Sequence, residues 1–262
     1  MEKKINVAIL GATGSVGQKF IELLQNHPWF NIHELAASER SAGKKYKDAT
    51  NWVMQNPLSE QIANMTIKLT EPGLESRVCF SAMDAGVAGE IEEKLANAGY
   101  IVISNAKNHR FDPDVPLMIP EINHEHLELL KSQTYSGGII TNPNCSTIGL
   151  AMALKPLHDS FGLEAVNVVT MQAVSGAGYP GLPSLDIIEN VIPFIGGEEP
   201  KMESEPLKIV GSISGGTIQN AEFKVSAQCN RVGVIDGHLE CVQVKLKKKT
   251  SVEEIKTLFR NY

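Results

Sequence analysis

The sequence predicts an α/β fold: a Rossmann-type, doubly wound parallel sheet, followed by a second α+β domain with a mostly antiparallel sheet. In the first half, apolar strand patterns alternate with helical patterns, as in right-handed βαβ units. A glycine-rich turn directly follows the first of these strands. Beyond it, near residue 146, the pattern changes to longer β-branched runs. We therefore expect two domains, residues 1–145 and residues 146–262.

Hydrophobic periodicity places the elements of the first half. Strands are predicted over residues 5–10, 32–37, 78–81 and 100–104. Between the first two strands, Val16, Phe20, Leu23 and Leu24 recur at helical spacing, which predicts a helix over residues 16–24. A second helix is expected over residues 91–98. This alternation is typical of a nucleotide-binding half.

In the second half, a helix is expected over residues 147–157, and strands over residues 165–173, 222–227, 231–235 and 239–246. In the last strand Val242, Val244 and Leu246 alternate with polar residues, which indicates an antiparallel sheet with one covered face. Residues 179–215 are rich in Gly, Pro and Glu and are interpreted as a functional loop with short helices. Residues 252–259 show a final helical pattern.

Composition excludes several classes of function. The 262 residues carry a net charge of -6, which argues against a nucleic-acid partner. No apolar run approaches the roughly 20 residues that span a bilayer, and the start does not resemble a signal peptide, so we expect a cytoplasmic protein with no membrane partner. The four cysteines are widely spaced without metal-ligand spacing, so we expect free thiols and no metal site.

The turn after the first strand has the sequence Gly-Ala-Thr-Gly-Ser-Val-Gly, with glycines three residues apart. Small residues let the backbone approach a pyrophosphate, and the following helix presents free N–H groups to it. The candidate cofactor-binding residues are Gly11, Thr13, Gly14, Ser15, Val16 and Gly17. The alternative is a tight strand–helix turn without a ligand.

The residues after the second predicted strand bear on the choice of dinucleotide. Ser38, Arg40 and Ser41 offer hydroxyls and a guanidinium, which suit the 2′-phosphate of NADP. Glu39 beside them leaves NAD open, since an acidic residue favours a free 2′-hydroxyl. A solvated charged loop is the alternative interpretation.

Cys145 stands in the sequence Asn-Pro-Asn-Cys-Ser-Thr, just before a predicted helix. A helix N-terminus favours thiolate over thiol, so we expect a lowered pKa and a nucleophilic sulfur. Considered alone, such a cysteine is more often an inert structural residue. Its role therefore depends on its neighbours in the fold.

Two later segments offer partners for this cysteine. His238 follows a glycine after a strand, a mobile and exposed setting that suits proton transfer, although, considered alone, such a histidine is more often an ordinary surface-loop residue. Gln172 closes a strand before a glycine-rich bend containing Ser175 and Gly176. That bend is a candidate contact for a nicotinamide, and a flexible turn is the alternative.

Together the motifs GATGSVG, NPNCST and QAVSGAG and the pair Arg231 and His238 resemble the aspartate-semialdehyde dehydrogenase family, particularly its archaeal and fungal-type branch. The resemblance covers essentially the whole chain. It implies that Cys145 is the nucleophile and His238 the acid/base group, while Gln172 and Asn144 orient a thioester intermediate. It further implies substrate contacts for four charged residues: Arg231 with the carboxylate, Glu198 with the amino group, and Lys201 and Arg110 with the phosphate.

The resemblance also implies a reaction: NADPH-dependent reduction of 4-phospho-L-aspartate to the semialdehyde by a homodimer or homotetramer. Malonyl-CoA reductase, a relative with similar motifs, stays an alternative. An inactive NADP-binding or assembly module is a second alternative, because family members normally continue past this chain's last residues with another strand and a helix. We expect their absence to affect stability, dimerisation and activity.

Overall fold

The computed structural model describes residues 4–262, which form two units. The first unit is the chain up to Pro116 together with Leu127–Asn142. The second unit is Leu117–His126 together with Pro143–Tyr262. The chain therefore passes between the units after residues 116, 126 and 142. The predicted domains, residues 1–145 and 146–262, are each continuous in sequence, so they place Leu117–His126 in the first domain. This division stays a prediction.

The first unit is built on a six-stranded parallel sheet. Its strands are β1 (Ile5–Leu10), β2 (Phe30–Ala37), β3 (Lys68–Leu69), β4 (Val78–Ser81), β5 (Ile101–Ser104) and β6 (Gly138–Thr141). Its helices are α1 (Ser15–Leu24), α2 (Tyr46–Ala49), α3 (Glu60–Ala63) and α4 (Ala85–Asn97). The strand order β3-β2-β1-β4-β5-β6 reverses direction at β1. In such sheets the ligand crevice lies beyond the carboxyl ends of the strands at this reversal.

Strand β1 is buried on both faces. Val7 and Ile9 belong to one apolar cluster, and Ala8 and Leu10 belong to another. Since successive side chains of a strand point to opposite faces, both faces of the sheet are covered at β1. This double burial explains why residues 7–10 of β1 are an uninterrupted apolar run, and it fixes the position of the turn that follows.

The second unit holds a four-stranded mixed sheet and a two-stranded one. Its elements are, in chain order, α5 (Pro120–Asn123), α6 (Cys145–Phe161), β7 (Leu163–Gln172), α7 (Ser184–Ile187), β8 (Val191–Ile192), α8 (Glu198–Ile209), β9 (Ser212–Ser214), β10 (Thr217–Gln219), β11 (Lys224–Val232), β12 (Leu239–Leu246) and α9 (Val252–Asn261). Short 3-10 helices cover His124–Lys131 and Val174–Ala177. Leucines of α6 and Met202 of α8 pack with Val166 and Val168 on one face of the four-stranded sheet.

The centre of this sheet differs from the prediction. In the order β12-β7-β11-β8, the outer pairings are antiparallel, but β7 and β11 are parallel. A parallel pair needs a long crossover, and α8 supplies its helix within the segment interpreted as a loop with short helices. In place of the two strands predicted at 222–227 and 231–235 there is one, β11, because the pairing with β7 continues from Lys224 to Arg231, and residues 233–235 lie outside it.

No helix within residues 4–262 has the length and apolar character needed to cross a membrane. The same residues contain no group of three or more His, Cys, Asp or Glu side chains arranged to hold a metal ion. All four cysteines are free: Cys79 and Cys229 are buried, whereas Cys145 and Cys241 are exposed.

Candidate active site

The glycine turn joins β1 to α1 at the point where the strand order reverses. Gly11 has φ +69°, and a Cβ added there would lie 2.7 Å from the Ala82 carbonyl oxygen. At Gly17 an added Cβ would lie 2.3 Å from the Gly11 carbonyl oxygen. Packing alone therefore requires glycine at both positions.

Gly14 is different, since an added Cβ would meet only the Gly11 carbonyl oxygen at an ordinary 3.6 Å. It is the N-cap of α1, and no side chain caps the helix. The first N–H groups of α1, from Ser15, Val16 and Gly17, thus begin a helix whose positive end carries no acidic side chain. This open, uncapped end fits the pyrophosphate of a dinucleotide. Thr13 is in the same turn, with its carbonyl oxygen accepting from Gln18 Nε2.

Ser38, Arg40 and Ser41 form a turn after β2. The Ser41 and Ala42 N–H groups donate to the Ser38 carbonyl oxygen at 2.9 and 3.0 Å. Ser41 is buried, whereas Ser38 and Arg40 are exposed. An exposed guanidinium on a turn held by its own hydrogen bonds is compatible with a phosphate contact.

Arg110 belongs to the first unit and is buried. Its Nη2 donates to the Asn105 carbonyl oxygen at 3.0 Å, across the loop that follows β5. The predicted substrate-binding residues therefore fall in both units, because Glu198, Lys201 and Arg231 belong to the second.

Cys145 is the first residue of α6, two residues earlier than the predicted helix start. Asn144 is the N-cap, and its Oδ1 accepts from the N–H groups of Ser146 and Thr147. The Asn144 N–H donates to Glu205 Oε2 at 2.7 Å, which ties the turn before the cysteine to α8. The fold thus places the Cys145 thiol at a helix N-terminus that is held from two sides.

The expected direction of the Cys145 pKa is wrong. Partial desolvation and the negative charge of Glu198 raise the pKa of the thiol, and hydrogen bonds from Ser146 only partly oppose this. The helix N-terminus is present as predicted, but the approach of Glu198 from α8 was not visible in the sequence. The resting sulfur therefore needs additional stabilisation to ionise at neutral pH.

His238 contacts the sulfur directly. Its Nε2 lies 3.2 Å from Cys145 Sγ, and its Nδ1 accepts from the Ala173 N–H at 3.0 Å. The ring is half-buried, not exposed as predicted. Burial and the nearby positive charge of Arg231 lower the pKa of His238, so the ring is neutral at pH 7.

Glu198 is a buried carboxylate at the first turn of α8. Its Oε1 pairs with Lys201 Nζ at 2.7 Å, and its Oε2 accepts from Asn144 Nδ2 at 2.8 Å and from Gln172 Nε2 at 3.4 Å. Burial favours the neutral form, but Lys201 and Asn144 together lower the pKa of Glu198, which stays ionised. The structure thus brings four predicted site residues into one network.

Arg231 and the bend after β7 complete the site. The buried Arg231 guanidinium donates through Nη1 to the Ala173 carbonyl oxygen at 2.7 Å. A Cβ added at Gly176 would lie 2.7 Å from the same nitrogen, so glycine is needed for this approach. The N–H of Ser175 donates to the Ile235 carbonyl oxygen at 3.1 Å, which joins the bend to the segment that carries His238.

A cavity of about 390 Å³ lies between α6 and β12 and is lined by Cys145, His238 and Glu240 with apolar residues of both elements. Burial raises the pKa of Glu240 to about 7. Sequence reasoning missed Glu240, which lies two residues after His238 at the start of β12. It also missed Glu205, which lies seven residues after Glu198 and so shares its helix face. The Ala173 N–H, which donates to His238 Nδ1, could not be identified from the sequence, because a backbone N–H is common to almost every residue type.

Comparison with known proteins agrees with this geometry. The family model described as "Semialdehyde dehydrogenase, NAD binding domain" matches residues 6–130, and "Semialdehyde dehydrogenase, dimerisation domain" matches residues 154–262. Aspartate-semialdehyde dehydrogenase from Archaeoglobus fulgidus is 49% identical over 263 residues, covering 98% of this chain and 76% of the relative. The Schizosaccharomyces pombe enzyme is 49% identical over 268 residues, covering 98% and 75%.

Among solved structures, aspartate semialdehyde dehydrogenase with NADP from Candida albicans has a TM-score of 0.92 at 45% identity, covering 98% of this chain and 76% of that one. Aspartate semialdehyde dehydrogenase II complexed with ASA from Vibrio cholerae has a TM-score of 0.79 at 30% identity, covering 99% and 79%. The resemblance inferred from the motifs is therefore confirmed, and the chain belongs to the aspartate-semialdehyde dehydrogenase family.

Proposed function

We propose that this protein is an NADP-dependent oxidoreductase that reduces 4-phospho-L-aspartate to L-aspartate 4-semialdehyde and phosphate, in the cytoplasm. This reaction belongs to aspartate-family amino-acid biosynthesis, which leads to lysine, threonine and methionine. The observation that carries the proposal is the 3.2 Å contact between Cys145 Sγ and His238 Nε2 at the N-terminus of α6. An acyl phosphate needs a sulfur nucleophile with a hydrogen-bond partner at its carbonyl, and this pair provides both.

In the first step the Cys145 sulfur attacks the β-carbonyl, the C–S bond forms, and the C–O bond to the phosphate breaks. Phosphate leaves, and the acyl group stays on Cys145 as a thioester. When held at the glycine turn, NADPH would supply the hydride that reduces this acyl group to the aldehyde. Asn144 and Gln172 hold the acyl group near the helix N-terminus. His238 is the acid/base group for the proton at the carbonyl oxygen when the C–S bond breaks.

Charge distribution supports the choice of substrate. The substrate carries a carboxylate, an ammonium and a phosphate. We assign the carboxylate to Arg231 and the ammonium to Glu198. We assign the phosphate to Lys201 and Arg110. Glu198 and Lys201 form an ion pair with each other. A substrate with both an ammonium and a phosphate replaces this one ion pair by two, so neither charge loses its partner. A substrate with the phosphate but without the ammonium would draw Lys201 away and leave the Glu198 carboxylate without a cation.

For the cofactor, we assign the pyrophosphate to the uncapped N-terminus of α1 and its turn, Gly11 to Gly17. Ser38, Arg40 and Ser41 would hold the 2′-phosphate, and Ser175 and Gly176 would contact the nicotinamide. Residues 1–145 are thus proposed as the NADP-binding domain, and residues 146–262 as the catalytic and dimerisation domain. The protein itself is proposed to be a homodimer or homotetramer.

The replacement Cys145→Ala tests the assignment. Because the substitution removes the nucleophile without touching the glycine turn, phosphate-dependent oxidation of aspartate semialdehyde should fall by at least about 10³-fold while NADPH affinity stays unchanged. Steady-state assays and fluorescence titration measure the two quantities. Cys241→Ser, at the other exposed cysteine, is the matched control and should retain activity.

Turnover by the Cys145→Ala protein would contradict the proposal. So would a wild-type protein that turns over malonyl-CoA in preference to the aspartyl substrate. Binding of NADPH with no turnover of either substrate would indicate a module without catalysis.

A further inference from the structure

Both ring nitrogens of His238 have a neighbour at hydrogen-bond distance. The nitrogen facing Nδ1 is the backbone N–H of Ala173, at 3.0 Å. A backbone N–H can only donate, so Nδ1 must accept and cannot carry a proton. In a neutral imidazole the single ring proton then lies on Nε2, the atom 3.2 Å from Cys145 Sγ.

The direction of the Ala173 N–H group is fixed by the hydrogen bonds of the surrounding backbone. The residue is fully buried, and its carbonyl oxygen accepts from Arg231 Nη1 at 2.7 Å and from the Gly176 N–H at 3.2 Å. The next N–H group, of Val174, donates to the Val234 carbonyl oxygen at 2.8 Å. The backbone around Ala173 is thus held by the same segment that leads to His238.

We propose that Ala173 is a positioning residue: its N–H holds His238 in the tautomer protonated on Nε2, so that the ring meets the resting Cys145 sulfur as a hydrogen-bond donor and not as a base. The inference rests on the proposed function and deepens it. An imidazolium would direct an Nδ1 proton at the Ala173 N–H, so a thiolate–imidazolium pair is disfavoured. The thiolate forms by loss of its proton to solvent, to which Cys145 is exposed, and Nε2–H stabilises it.

The charges around the ring agree with a neutral state. The groups that bear on His238 are Cys145 from α6, Arg231 from β11, Glu198 from α8, Asp236 from its own loop and, across the shared cavity, Glu240 from β12. Burial and Arg231 lower the pKa of His238 despite the two acidic groups, Glu198 and Asp236. A proton therefore reaches or leaves His238 during turnover only when the bond from Ala173 opens.

The tautomer can be measured directly by nitrogen NMR of the full chain labelled at histidine, with the His238 signals assigned by their loss in His238→Gln. At pH 7 we expect Nδ1 unprotonated and Nε2 protonated, with no imidazolium forming until the pH falls below the usual range for histidine. A protonated Nδ1 at pH 7, or an equal mixture of tautomers, overturns the proposal.

Two substitutions of His238 distinguish a role as hydrogen-bond donor to Cys145 from a role as base. His238→Gln places an amide donor near Nε2 but cannot titrate, whereas His238→Ala removes the donor. With Cys241→Ser in every variant, the rate of Cys145 alkylation by iodoacetamide at pH 7 reports the thiolate. We expect the Gln variant to stay near the wild-type rate and the Ala variant to fall on the order of tenfold, the effect of one hydrogen bond to a charged group.

Equal losses in the Gln and Ala variants would mean that His238 acts through its own titration and would refute the donor role. A protein with the expected tautomer but no activity on aspartate semialdehyde would instead count against the proposed function alone. The two failures are therefore distinguishable.

Discussion

At the scale of single residues, Glu34 shows how a buried charge stabilises the first unit. Its Oε1 accepts from Lys68 Nζ at 2.6 Å and from the Glu75 N–H at 3.0 Å, and its Oε2 accepts from the Ser76 N–H at 2.7 Å. Burial favours the neutral acid, but Lys68 and the Ser76 and Glu75 donors together lower the pKa of Glu34 from 4.5 to about 2. The loop before β4 is therefore fastened to β2 by an ionised carboxylate.

We predict that Glu34→Gln lowers the free energy of unfolding at pH 7 by on the order of 1–2 kcal/mol, since Lys68 is partly exposed and solvent screens the pair. Because the pKa is depressed in the folded state, the stabilisation is present above the usual value of 4.5 and is lost as pH falls towards about 2. Urea denaturation at several pH values measures this difference between the two proteins.

Glu75→Gln is the control, because that carboxylate is 73% exposed and lies 3.9 Å from the same lysine. Its effect should stay within about 0.5 kcal/mol. A Glu34→Gln penalty that grew on acidification would show that the sign of the linkage is wrong.

Residue identity could be predicted from the sequence more readily than residue environment. Cys145, His238 and Glu198 stand in short motifs, and the structure brings them together. The direction of the Cys145 pKa could not be predicted, because it depends on a carboxylate that reaches it from α8. Likewise, the tautomer of His238 depends on a backbone group that every residue type except proline carries.

At the scale of elements, the junction of β1 and α1 allows cofactor binding to be separated from folding. Gly14 has φ -75° and ψ 164°, a conformation that an N-cap aspartate adopts without strain. We predict that Gly14→Asp changes the free energy of unfolding by only a few tenths of a kcal/mol, since aspartate caps the helix well. Its carboxylate would occupy the phosphate position, so NADPH affinity should fall at least about tenfold in a fluorescence titration.

Gly14→Ala adds no charge and no cap, and should retain most of the NADPH affinity because the added Cβ meets only one atom at 3.6 Å. Tight NADPH binding by the Gly14→Asp protein would rule out the pyrophosphate assignment for this turn.

Elements formed by local sequence were the easiest to predict. Strand 5–10 and strand 78–81 agree with β1 and β4 residue for residue, because each is a short apolar run ended by small residues. Helix α8 was harder, because Pro200, Pro206 and four glutamates give its sequence a loop-like character. Its first turn is stabilised by tertiary contacts with Asn144 and Gln172, which no local pattern reports.

At the scale of the whole molecule, one face of the four-stranded sheet in the second unit is exposed and carries an apolar patch where β7 ends and β12 begins. Val169 and Met171 of β7 lie on it beside their cross-strand partners Cys241 and Leu239 of β12. An exposed apolar patch on a sheet face, in a domain that matches a dimerisation model, is a natural place for a second subunit. We propose this face as the interface of the homodimer or of each pair in a homotetramer.

The double replacement Met171→Lys and Leu239→Glu tests this interface. The two new side chains pair across the strands and keep the sheet intact, but they put charges where a partner would pack. Light scattering at micromolar concentration should show a shift from dimer or tetramer to monomer. Val87→Lys, at an exposed apolar position of α4, should leave the mass unchanged. A monomeric wild-type protein would refute the proposal.

The fold class could be predicted because strand and helix periods alternate through the first half and change in the second. The parallel pairing of β7 and β11 could not, since alternation of side chains is the same in both strand directions. The path of Leu117–His126 was also invisible, because a short apolar segment does not reveal which core it joins.

That path limits how the molecule can be recombined. Leu117, Ile119 and Ile122 are buried with Ala151 and Ile209, so they belong to the second core although they precede most of it in the chain. Asn123 reinforces this through Nδ2, which donates to the Ile209 carbonyl oxygen at 3.4 Å. The N-terminal half of the chain therefore cannot be exchanged as an independent domain. A chimera made with a relative by a single crossover between the two halves would take the 117–126 segment from one parent. The core that packs against this segment would come from the other parent. Such a chimera would fold only if the two sets of apolar side chains still packed together.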